Sequence, residues 1–170
     1  AFFNVYLDTE LSVDVALVGA VMGAAQLLPF AVALVMPSVL ATRGAESSIL
    51  WVGVLLGIAL LVMALVPHWF AASISYTLVV STMTAGGIAR GLFSQELVAQ
   101  QWRTASSAVL TIGMALGGAS MAALGGYLIG AAGFSVLFMA GMGCALLSAA
   151  VVLVYRRLRL AQSESAAAQP

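Results

Sequence analysis

The chain alternates long apolar runs with short polar ones. Five apolar runs occupy residues 15–36, 49–66, 69–89, 105–130 and 134–155, and a shorter one before them ends near Leu7. As helices rising 1.5 Å per residue, these runs reach roughly 27–39 Å, enough to cross a hydrocarbon core of about 30 Å. Lipid offers no partner to a free backbone amide, and an open sheet would leave its edges unpaired, so the runs must be helical. The apolar–polar alternation of a membrane barrel strand is absent. The connections, 8–14, 41–48, 67–68, 90–103 and 131–133, hold turn formers and charges. The pattern predicts an all-α polytopic membrane helical bundle of about five full transmembrane helices plus the end of a sixth. That bundle takes residues 1–160, and the small, polar stretch 161–170 is expected to be a disordered cytoplasmic tail.

Composition removes the alternative of a soluble domain. Apolar residues make up 63% of the 170 and charged residues 7%, where soluble domains hold about 45–50% and about 25%. Net charge is zero, so nucleic acid is not an expected partner. The single cysteine, Cys144, has no intrachain disulfide partner and reads as a small buried hydrophobe. The chain opens at Ala1-Phe2-Phe3-Asn4 without an initiator Met, a basic n-region or a signal-peptide pattern, and it reads as a fragment that begins inside a hydrophobic segment.

The basic residues set the sidedness. All six are arginines: Arg43 in the second connection, Arg90 and Arg103 bounding the fourth, and Arg156, Arg157 and Arg159 after the last run. Five crossings put these three regions on one side, and the other side holds Asp8, Glu10, Asp14 and His68. The positive-inside rule makes the arginine side cytoplasmic. Trp51, Trp102 and Tyr155 then fall at the inner interface, and Trp69 and Phe70 at the outer one. The expected location is the cell membrane, of the bacterial inner-membrane kind, with a cytoplasmic C-terminus.

Inside the runs, small residues recur four apart at Gly19/Gly23, Gly53/Gly57, Gly113/Gly117 and Gly126/Gly130, which predicts close helix approaches. Polarity is uneven. Runs 49–66 and 134–155 carry almost no polar side chain, whereas 69–89 holds Ser73, Ser75, Tyr76, Thr77, Ser81, Thr82 and Thr84. Polar groups at bilayer depth face protein or water, so the two polar-poor runs are expected at the periphery and the other three inside. Gln26 shares a helical face with Gly19 and Gly23 and is expected to point into the bundle, bonding either a solute or a neighbouring helix. Pro29, one turn on, is expected to kink its helix. Ser73, Thr77, Ser81 and Thr84 fall within an arc of about 80° at 100° per residue, which suits either a cavity lining or a small-residue packing seam. No Asp, Glu, Lys or His lies in a run's core. No metal-ligand cluster, catalytic triad, carboxylate pair or phosphate loop is present at any spacing, so neither an enzyme nor a cofactor or metal site is expected.

The ordered set of features resembles the C-terminal half of a major facilitator superfamily transporter over nearly the whole chain. Phe2-Phe3-Asn4-Val5-Tyr6-Leu7, followed by a polar loop and Val18-Gly19, is similar to the end of helix seven running into helix eight. Pro37-Ser38-Val39-Leu40-Ala41-Thr42-Arg43-Gly44 resembles a second copy of the family's G-x-L-x-D-R-x-G loop between helices eight and nine. Gly44 is retained, Pro37 stands at the first Gly, Ala41 and Thr42 stand at the Asp-Arg pair, and Arg43 is shifted by one. Arg103-Thr104-Ala105-Ser106 with Gly113, Gly117-Gly118 and Gly125-Gly126 is similar to the glycine-rich eleventh helix. The resemblance implies that runs 49–66 and 134–155 are outer supports and that the remaining helices border a central cavity. It also implies a second six-helix half, missing here, that shares a midplane site.

The function that follows from the resemblance is a secondary active transporter moving a small solute by alternating access, of the permease or efflux type. The alternative is a non-transporting scaffold or receptor of the same fold; a membrane-embedded enzyme stands behind both. The candidate substrate-binding or cavity-lining residues are Asn4, Gln26, Tyr76, Thr77, Ser81 and Thr84, with Arg43 and Gly44 as the cytoplasmic loop motif. The expected partners are a small-molecule solute, the lipid bilayer and the missing N-terminal half.

Overall fold

The structure, a computed structural model, describes residues 2–167, with side-chain surroundings through 161. Every regular element among the described residues is helical. A short helix α1 (Phe2–Val5) widens into a π-helical turn over Tyr6–Glu10. After it come α2 (Val15–Ala25), α3 (Leu27–Arg43), α4 (Ala45–Leu65) and α5 (Trp69–Glu96). A 3-10 turn, Gln100–Trp102, leads into the helical stretch Arg103–Ala167. That stretch bends at Gly133, whose φ 81, ψ 176 is non-helical, so it consists of two helices, α6 (103–132) and α7 (134–167).

Four stretches are long and apolar enough to cross a membrane: Val15–Arg43, Ala45–Leu65, Trp69–Glu96 and Gln100–Ala161. The last, 62 residues long, would measure about 93 Å if straight, three times the hydrocarbon core, and Gly133 folds it back instead. A Cβ built on Gly125 would lie 3.2 Å from Leu137 Cδ1, so the residues on either side of the bend face each other. The chain is thus the all-α polytopic bundle that its apolar runs predict.

Local chemistry sets the boundaries. The Asp14 carboxylate accepts a 2.7 Å hydrogen bond from Ala16 N–H and caps α2, as a short acceptor at that position does. His68 caps α5 in the same way, its Nδ1 accepting from Phe70 N–H at 3.2 Å. Between α2 and α3 the helix breaks at Gln26, whose N–H bonds back to Gly23 O at 3.2 Å. The cause sits at Pro29, which has no N–H to offer Ala25 O and crowds that carbonyl with its ring. The expected kink is present, one turn ahead of the proline.

Two sequence expectations on helix ends are corrected. The stretch 37–44 is not a loop: α3 runs through Pro37 to Arg43, and only Gly44 (φ 77) separates it from α4. Thr42 Oγ1 donates to Ser38 O and Val39 O at 3.1 Å, and Gly44 N–H to Leu40 O at 2.9 Å, so the carbonyls of the last turn are satisfied and the helix has no reason to end sooner. At the other terminus α7 continues to Ala167 in place of the disordered tail expected from 161. Ala161, Ala166 and Ala167 are strong helix formers that extend the preceding turns, and residues 168–170 lie outside the described residues.

Helices α4 and α5 form an antiparallel pair, and α7 packs antiparallel along a neighbouring face of α4. The α4–α7 seam is built from small residues. A Cβ on Gly53 would meet Ala149 Cβ at 3.0 Å, one on Gly57 would meet Leu146 Cδ2 at 3.3 Å, and one on Gly141 would meet Leu60 Cδ1 at 3.3 Å. At the arginine end of this seam Arg159 pairs with Glu46 at 2.7 Å. Two apolar clusters close the bundle. Met36, Leu40, Ala45, Ile49, Val52, Ala85 and Ala89 form the one toward the arginine end; Phe3, Tyr6, Leu7, Val18, Met63, Ala72, Phe134 and Phe138 form the other.

This packing reverses the expected ranking of helices within the chain. Polar-poor α4 is central, between α5 and α7, while hydroxyl- and glycine-bearing α6 is exposed along most of its length, with Gly125 buried and Ser106, Ser107, Leu110, Leu128 and Ile129 half-buried. The physical reason lies in the hydroxyls. Ser73, Thr77, Ser81, Thr82, Thr84 and Thr111 each donate to a carbonyl three or four residues back in their own helix. A hydroxyl satisfied this way does not need a neighbouring helix, so hydroxyl content does not decide which helix is buried.

Candidate functional site

The N-terminal segment docks through an aromatic stack. Phe3 and Tyr76 lie ring on ring, centroids 3.9 Å apart and 6° from parallel, which ties α1 to the N-terminal third of α5. Tyr6 meets Phe134 and Phe138 at 5.3 and 5.2 Å, fixing the π-helical turn against α7. Asn4, on the exposed side of α1, lines a recess of about 220 Å³ with Val5, Asp8, Val15 and Val18.

The other candidates do not converge on that recess. Ser81 is 4% exposed; one and two turns further along α5, Ala85 and Ala89 pack with Met36 and Leu40 of α3. It therefore belongs to the row that forms the α3–α5 seam. Thr77 and Thr84 are half-buried, with hydroxyls committed at 2.9 and 3.0 Å to Ser73 O and Val80 O. Arg43 and Gly44 are exposed at the α3–α4 corner.

Gln26 is exposed on the outer surface of the chain, not directed into it. Gly19 and Gly23 share that surface, and a Cβ on either would meet nothing within 4 Å. Among the described residues the Gln26 side chain has no hydrogen-bond partner. It sits eleven residues from the start of α2, about 16 Å along the axis and so near mid-membrane. A bare carboxamide at that depth costs several kcal/mol against lipid tails. The face carrying Gln26 is therefore an open polar position on the surface of this chain.

Sequence reasoning missed a cavity inside the bundle. About 530 Å³ lies between α4, α5, α6 and α7, lined among others by Val52, Leu60, Val79, Thr82, Met83, Arg90, Met114, Gly118, Met121 and Ala145. It opens on the face of α5 opposite the Thr77–Thr84 stripe. The signal in sequence was slight: Thr82 stood apart from the stripe, and Arg90 read as one boundary of the fourth connection, whereas α5 runs on past it to Glu96. Arg90 is half-buried, its guanidinium nitrogens 3.1 Å from where a Gly86 Cβ would stand. No group of three or more His, Cys, Asp or Glu that could hold a metal ion occurs among the described residues. The chain matches no known family profile, no curated protein and no solved structure.

Proposed function

We propose that the chain is the C-terminal half of a secondary active transporter of the major facilitator type, which moves a small solute by alternating access and has no catalytic role. The observation that carries this reading is Gln26, an unpartnered carboxamide near the membrane midplane on a bare glycine face. A second six-helix half across that face would supply either a protein partner or a water-filled cleft, and transporter sites lie at such midplane interfaces between repeats. The exposed, glycine-rich flank of α6 is a second surface open to that half. On this reading the protein spans the cell membrane, a bacterial inner membrane, with the arginine end and the C-terminus cytoplasmic.

The test is solute uptake. The complete two-half protein in liposomes should show saturable uptake or exchange of at least one solute from a panel of sugars, amphiphiles and drugs, and this chain alone should show none. A complete protein that inserts and folds yet moves nothing in that panel would favour the scaffold or receptor reading. That alternative draws on Ala41 and Thr42, which leave the α3–α4 corner without the acid–base pair of the resembling loop.

A further inference from the structure

We propose that the cavity between α4, α5, α6 and α7 holds one acyl chain of an anionic phospholipid from the arginine-side leaflet, with the lipid phosphate paired to Arg90. The inference does not rest on the transporter reading, since a scaffold or receptor with this bundle would have the same cavity.

Dimensions argue first. The lining runs along α5 from Arg90 to Val79, eleven residues or about 16 Å, which is half of a hydrocarbon core of about 30 Å. The cavity is therefore about one leaflet deep, with Arg90 at its shallow end. Its volume of about 530 Å³ falls in the range of about 300–1,000 Å³ typical of ligand sites.

The chemistry of the wall selects the occupant. Below Arg90 the only hydroxyl is that of Thr82, which already donates to Leu78 O at 2.8 Å and Val79 O at 2.9 Å. Nothing deep in the cavity asks for a polar ligand. Met83, Met114 and Met121 are 60, 49 and 40% exposed, so the wall is open toward the bilayer at side chains flexible enough to close over a hydrocarbon chain. A Cβ on Gly117 or Gly118 would meet nothing within 4 Å, which leaves room for it.

Charge completes the case. Among the described residues Arg90 has no acidic or hydrogen-bonding partner, and the single ion pair uses Arg159 and Glu46. A half-buried guanidinium with a free fork of donors matches a phosphate geometrically. The other five arginines sit at the same end of the bundle, where they draw anionic lipid to the surface. A chain that leaves bulk lipid for this cavity trades one apolar surrounding for another, so preference must come from the headgroup.

The test is a titration of the purified chain in mild detergent with phosphatidylglycerol and with phosphatidylcholine of identical acyl chains, followed by native mass spectrometry. One phosphatidylglycerol should bind about tenfold more tightly than phosphatidylcholine, the size of one charge-assisted pair. Arg90→Gln should abolish that preference and Arg90→Lys should keep part of it. Gly118→Leu, which fills the cavity, should weaken both lipids. Soluble glycerol phosphate at millimolar concentration should displace nothing. Equal binding of the two lipids, a preference that survives Arg90→Gln, binding untouched by Gly118→Leu, or displacement by glycerol phosphate would each overturn the proposal.

Discussion

Gly44 and Gly133 make the two sharpest corners with one residue each, at φ 77, ψ 162 and φ 81, ψ 176. That conformation is essentially closed to residues with a Cβ, and forcing one into it costs about 1–3 kcal/mol. Gly44→Ala and Gly133→Ala should each lower the thermal unfolding midpoint of the chain in detergent by an amount of that order. Gly19→Ala and Gly23→Ala should leave it level or slightly raised, because those positions are ordinary helix with no neighbour within 4 Å and Ala is the better helix former. Equal losses at all four sites would contradict the corner assignment. At this scale the sequence was partly legible. Pro29 announced its kink by chemistry that acts within one turn. The glycines did not announce their roles, since a corner glycine and a helix glycine differ only in a dihedral angle that tertiary packing sets.

Among elements, the α4–α7 seam is the best-defined contact, and here a sequence signal proved specific. Of the four glycine pairs spaced four apart, only Gly53/Gly57 lies against another helix; Gly19/Gly23, Gly113/Gly117 and Gly126/Gly130 meet nothing within 4 Å. Spacing marks a surface that permits close approach without saying whether a partner comes. In a Cys144→Ala background, cysteines at 53 and 149 should form a disulfide on mild oxidation, because the seam brings these positions within bonding reach. A pair at 19 and 149 should not. Gly57→Leu should push the helices apart and cost about 1–3 kcal/mol. Failure of the 53–149 pair to bridge in a folded chain would disprove the seam. Within this chain α4 is central for a matching reason: hydroxyls bonded to their own helix impose no burial, while small residues on two apolar helices allow it.

For the whole molecule, the apolar runs marked the helices long and apolar enough to cross a membrane, and the arginines marked one end of the bundle. Helix packing then joined those arginine-bearing segments: Arg159 reaches Glu46 at 2.7 Å, and Phe93 meets Tyr155 at 5.7 Å. A fluorescent-protein fusion at the C-terminus should fluoresce and an alkaline phosphatase fusion there should stay inactive; the opposite pair of results would invert the orientation. The site was far less legible than the fold. Gln26, Thr77 and Ser81 are polar residues at bilayer depth, but whether each faces a cleft, a seam or its own backbone depends on contacts that one helix's periodicity does not contain. The structure separates them. Ser81 lies on the α3–α5 seam, while Gln26 stands on the open face that the proposed second half would meet. The most direct measurement is therefore the reactivity of single cysteines at 26 and 81 in the proposed two-half protein, Cys144 being replaced, toward a membrane-impermeant maleimide added from either side. The account predicts that position 26 reacts from both sides in turn as the protein alternates, that transported solute protects it, and that position 81 stays silent. A position 26 unreactive from both sides would contradict it.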